Sequence, residues 1–95
     1  MVDVLVVKDC SGRRIHLSHE RWKHIVQEHS TMSNSLEIIH DALVNPLVIR
    51  KEPLDPMVVY YYVHDNIANN YVMVLVRYLN GTGFIITSFQ VNRIL

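Results

Sequence analysis

The sequence predicts an α+β domain: an N-terminal β-hairpin, two α-helices, then a four-stranded antiparallel β-meander. Three observations predict it. Apolar residues recur at helical spacing between residues 19 and 44. From residue 47 onward, four runs rich in valine, isoleucine and tyrosine follow one another with no helical pattern between them. Short segments of Pro, Gly, Asn and Asp separate those runs, and strands joined without crossover helices pair antiparallel.

Each element has a local reason. Val4–Val7 is a short apolar run, Asp9-Cys10-Ser11-Gly12 is a turn signal, and Arg13–Leu17 reads as the returning strand. Ser18 suits a helix N-cap, with Glu20 favourable in the first turn. The helix runs from His19 to about His29, with Trp22, Ile25, Val26 and His29 on one side and Arg21, His24 and Glu28 on the other. Asn34 and Glu37 form a capping-box pattern ahead of Leu36, Ile39 and Leu43, and Asn45-Pro46 ends the second helix. The strands of the meander are Leu47–Glu52, Met57–His64, Tyr71–Tyr78 and Phe84–Val91. Tyr71–Val76 is apolar at every position, the pattern of a central strand covered on both faces: helices on one, the hairpin or a second subunit on the other.

Ninety-five residues make one domain spanning 1–95. Nine Lys+Arg balance nine Asp+Glu, which excludes a strongly basic nucleic-acid coat and an acidic solvating tail but leaves a local basic patch open. Cys10 is the single cysteine, so neither an internal disulfide nor a cysteine-based zinc site is available, and a reducing compartment fits. The apolar N-terminal stretch lacks a basic leader, and no run approaches the ~18 apolar residues of a membrane span. These features predict a cytoplasmic protein with no membrane partner.

Six histidines stand out, because imidazole is the side chain best placed to move protons near neutral pH. Arg21, His24 and Glu28, at i, i+3 and i+7, put a cation, an imidazole and a carboxylate on one stripe. Such a set suits holding a phosphate, moving a proton and orienting the imidazole; the same residues also describe a solvated helix face. His29 reads as a core or helix-ending residue, and His16, His19, His40 and His64 as structural or surface residues. His19 and His24 are one residue too far apart for a zincin motif, and no metal site is predicted. Arg50, Lys51, Arg77 and Arg93 supply cations to the strands, and no acidic residue follows Asp65. Tyr60-Tyr61-Tyr62 alternates across the sheet and reads equally as base-stacking aromatics or as ordinary strand formers. Thr87-Ser88 places one hydroxyl on each face. No P-loop, dinucleotide glycine motif or nucleophile elbow occurs, so no cofactor is predicted.

The segment Ile15-His16-Leu17-Ser18-His19-Glu20-Arg21-Trp22-Lys23-His24-Ile25, then Glu28-His29, a second helix closing on Asn45-Pro46, a tyrosine-rich strand, a strand ending at Arg77 and a last strand with Ile86-Thr87-Ser88-Phe89 together resemble a known pattern. It is that of the superfamily joining barnase, EndoU, colicin-type tRNases and RelE-like toxins, particularly its phage-associated branch. The resemblance covers about residues 13–91. It implies a RelE/barnase-like nuclease domain and a metal-independent endoribonuclease, toxin-like or phage-derived, that cleaves RNA by 2′-hydroxyl attack to a 2′,3′-cyclic phosphate. It implies His24 as the acid–base residue with Glu28 as its partner or second proton carrier, Lys51 and Arg77 clamping the phosphate, and Thr87 bonding a phosphate oxygen. Arg21, Arg50, Tyr61 and Tyr62 would bind substrate. The partners implied are RNA (tRNA or mRNA) and an antitoxin or other protein. The neutral charge departs from the markedly basic RelE-like ribonucleases and weakens long-range attraction to phosphate. It favours an alternative: a non-catalytic protein-interaction module of the same ancestry, docking on a partner or forming a homodimer.

Overall fold

The computed structural model describes residues 2–94. The elements are β1 (Asp3–Lys8), β2 (Arg14–Ser18), α1 (His19–Glu28), a 3-10 turn (Ser30–Met32), α2 (Leu36–Val44), β3 (Val48–Glu52), β4 (Asp55–Asp65), β5 (Asn70–Leu79) and β6 (Thr82–Val91). Their assembly corrects the predicted fold class. All six strands form one mixed sheet in the order β1-β2-β6-β5-β4-β3, instead of a four-stranded antiparallel meander beside a separate hairpin.

The correction has a local physical cause. β2 joins β6 in parallel through Ile15 opposite Gly83 and His16 opposite Phe84. A Cβ at Gly83 would lie 2.9 Å from both Ile15 Cγ1 and Tyr78 Cε1, so the two strands approach this closely because residue 83 has no side chain. The hairpin therefore lengthens the sheet and does not cover its second face, where Tyr62 and Met73 are nevertheless buried by their neighbours.

One face is buried by the helices. α2 packs on β1, β4 and β5, and α1 packs on β6, β2 and β1. Alternate residues of the strands meet them: Ile15 and Leu17 from β2, Val59 and Tyr61 from β4, Val72, Val74 and Val76 from β5, and Ile85 from β6, against Ile25, Ile39, Ala42 and Leu43. The Ser18 hydroxyl caps α1 by accepting from the Arg21 amide at 3.1 Å. α2 is capped at Ser35 without a side-chain hydrogen bond, so the predicted Asn34 capping box does not form. β5 is central, but on the second face Leu75 is half-buried and Arg77 is exposed. It is covered fully on one side only.

The buried face also holds a polar cluster near the tip of the first hairpin. Asp9 Oδ2 accepts from the Tyr78 hydroxyl at 2.7 Å and from Arg13 Nε at 3.0 Å. The Tyr61 hydroxyl bonds that of Tyr78 and reaches Asp9 at 3.5 Å. Arg13 lies over the Tyr78 ring, 3.7 Å from its centroid. Burial pushes the Asp9 carboxyl up, but hydrogen bonds from Tyr78, from the Ser11 side chain and from the Arg13 and Ser11 amides outweigh it and hold Asp9 at about 2. Burial raises the Tyr78 and Tyr61 phenols, so both stay protonated donors.

Candidate active site

The uncovered face of the sheet is organised in rungs, because paired residues on neighbouring strands share a face. One rung runs Val58, Arg77, Phe84, His16, Val6 across β4, β5, β6, β2 and β1. The next runs Arg50, Tyr60, Leu75, Thr87, and a third Val48, Tyr62, Met73, Phe89. α1 borders this face along β6. Arg21, near its start, shares a hollow with His16 and Phe84, while His29 at its end packs on Phe89 with ring centroids 4.8 Å apart.

The hollow at the start of α1 encloses about 440 Å³ between Asp3, His16, Ser18, Arg21, Phe84 and Ile86. Its chemistry centres on His16. Nδ1 of His16 lies 2.8 Å from Asp3 Oδ2, and both side chains are about one-quarter exposed. A carboxylate only accepts, so Nδ1 carries a proton and, in the neutral ring, Nε2 holds the lone pair. The ring also stacks on Phe84, with centroids 5.8 Å apart and planes at 24°. A carboxylate-oriented imidazole with an open second nitrogen, beside a guanidinium, can take a proton next to an anionic group.

The sequence-predicted residues divide between locations. Arg21, Arg50, Tyr62, Arg77 and Thr87 belong to the open face or its border. His24 and Glu28 project from the exposed stripe of α1 and make no side-chain hydrogen bond or ion pair among the described residues. Lys51 opposes the core residue Val59, so it leaves the sheet on the helix side, away from Arg77 and Thr87. Tyr61 is a core residue, held by Tyr78 and Asp9. The predicted pair of Lys51 and Arg77 therefore does not form one clamp, and His24 is not gathered with either. Ser88 is fully buried and donates to the Met73 carbonyl at 2.8 Å, leaving Thr87 as the hydroxyl on the open face.

Sequence reasoning missed His16. Its signal was the alternation Ile15-His16-Leu17, which puts an imidazole on the side opposite two core residues, but Asp3 as its partner depends on hairpin register. Among the described residues no group of three or more His, Cys, Asp or Glu gathers as a metal site, and no helix is long and apolar enough to cross a membrane. No family model, curated protein or solved structure matches this chain.

Proposed function

We propose that this protein is an endoribonuclease whose acid–base residue is His16, positioned by Asp3, with Arg21 as the phosphate-binding cation. The observation that carries this reading is the Asp3–His16 pair in a hollow that also contains a guanidinium. His16 Nε2 takes the proton of an RNA 2′-hydroxyl as that oxygen attacks the neighbouring phosphorus. The bond from phosphorus to the 5′-oxygen breaks, the leaving oxygen takes a proton from water, and a 2′,3′-cyclic phosphate remains. Arg21 offsets the charge that builds on the non-bridging oxygens. The resemblance to the barnase, EndoU, colicin and RelE group supports the chemistry; the residues proposed here differ from the set it implied.

The test is incubation of the folded protein with total tRNA and with a single-stranded RNA, reading 2′,3′-cyclic phosphate ends. Cleavage that is lost in His16→Ala and retained in His24→Ala supports the reading. Absence of cleavage by the wild-type protein on both RNAs overturns it.

One observation favours the non-catalytic alternative. Phe84, Leu79 and Val6 are 42 to 50% exposed on the open face, and such side chains also suit a protein interface. A stable dimer in light scattering, lost on Phe84→Ser, would assign the face to a second copy of the chain.

A further inference from the structure

The open face carries a second hollow, of about 330 Å³, between Tyr60, Tyr62, Met73, Phe89, Val91 and Arg93. We infer that it is a nucleobase subsite that takes an unpaired base of a single-stranded RNA, a conclusion that rests on the ribonuclease reading and names the substrate class of that site.

Three features argue for this occupant. The walls are mostly aromatic and apolar: Tyr60 and the buried Tyr62 of β4 and Phe89 of β6 stand on one side of the sheet, with Met73 of β5 between the two strands. Every base has a π-face, so such walls accept bases with little regard to sequence. The Tyr60 ring is held in place, since its hydroxyl donates to Glu52 Oε2 at 2.6 Å; a fixed ring loses less freedom when a base stacks on it. The surrounding charge suits a polyanion. Arg93 lines the hollow, Arg50 opposes Tyr60, and Arg77 stands on the adjoining rung. Asp55 pairs with Arg77 at 3.2 Å and Glu52 keeps its charge beside Tyr60, so three arginines face two carboxylates here and the excess positive charge is one.

Spacing links the two hollows. Phe84 borders the His16 hollow and Phe89 the aromatic one, roughly 16 Å apart along β6 at the usual rise per residue. An extended strand lying over β6 would place one base between Tyr60 and Phe89 while a phosphate further along reached Arg21 and His16. A duplex, whose bases are stacked and paired, would offer no base to the hollow.

The experiment reads binding separately from cleavage. The probe is a fluorescein-labelled 2′-O-methyl hexaadenylate, which lacks the attacking hydroxyl, measured by anisotropy against the full chain. Saturable binding is expected, stronger than for a 2′-O-methyl duplex of the same length. Tyr60→Leu should weaken it about tenfold, and Tyr60→Phe, which keeps the ring but loses its tether to Glu52, should weaken it less. Arg93→Gln should weaken binding and lower the salt slope by about 0.7. Circular-dichroism melts of each variant separate these effects from misfolding.

Equal binding by wild type, Tyr60→Leu and Arg93→Gln overturns the subsite, as does equal affinity for the duplex. A dimer in light scattering that Tyr60→Leu dissociates overturns it in favour of a second chain. The two proposals fail differently: cleavage that depends on His16 with Tyr60-independent binding removes the subsite alone. Tyr60-dependent binding without any cleavage removes the ribonuclease reading alone.

Discussion

His16 and Asp3 face one another from neighbouring strands of the first hairpin, with Nδ1 and Oδ2 2.8 Å apart and the second imidazole nitrogen free. This pair fixes which nitrogen can act. If it positions a general base, His16→Ala should lower RNA cleavage by about 10²–10⁴-fold. Asp3→Asn should lower it less, because the imidazole loses the carboxylate that orients it. Both variants should melt within a few degrees of wild type. A normal rate in His16→Ala would end the assignment.

Arg77 and Asp55 form an ion pair at 3.2 Å with side chains 48% and 33% exposed. Water screens such a pair, so Arg77→Gln should cost less than about 1 kcal/mol of stability. Its larger effect should be on RNA affinity. Asp55→Asn frees the guanidinium and should strengthen binding at low salt, with the gain fading as salt rises. Weaker binding in Asp55→Asn would show that Arg77 does not meet phosphate.

Gly83 is the point at which the hairpin joins the rest of the sheet. Gly83→Ala places a methyl group 2.9 Å from Ile15 and Tyr78 in a packed interior, a cost of about 1–3 kcal/mol. Thermal melts should show the loss, and Ile15→Ala, which removes the Cγ1 that the new methyl meets, should make the double variant lose less than the sum of the two single losses. An unchanged melting temperature in Gly83→Ala would mean that the β2–β6 contact contributes little.

Local chemistry was legible in the sequence where its causes are local. Ser18 caps α1 and helix α1 begins at His19, because a hydroxyl before an amphipathic run satisfies a free amide. The pairing of β2 with β6 was not legible, since it rests on an absent side chain at Gly83 meeting a strand far earlier in the chain. The same limit governs the site. Strand alternation separates Tyr61 from Tyr60 and Tyr62, yet which side faces the helices follows from register. His24 attracted attention through its helical spacing to Glu28, whereas Asp3 and His16 lie on different strands and share no short motif.

Asp9 ties acid stability to the buried cluster. Its carboxyl is held at about 2 in the folded chain against an ordinary 3.8, because the hydrogen bonds from Tyr78, Ser11 and the local amides overcome the upward push of burial. A carboxyl with a lowered folded pKa stabilises the fold above its unfolded value, and that contribution disappears as pH falls through the folded value. For Asp9 this amounts to about 2 kcal/mol at neutral pH, lost between about pH 4 and pH 2. Asp9→Asn keeps the shape but not the charge, and should be less stable than wild type at pH 7 by a comparable amount. In urea titrations the gap between the two proteins should hold from pH 7 to about pH 4 and narrow between pH 4 and pH 2. Tyr61→Phe, which removes one hydroxyl from the cluster, should lower stability by about 1–2 kcal/mol while leaving RNA cleavage unchanged. A gap that stays constant from pH 7 to pH 2 would show that the Asp9 charge does not hold the cluster together.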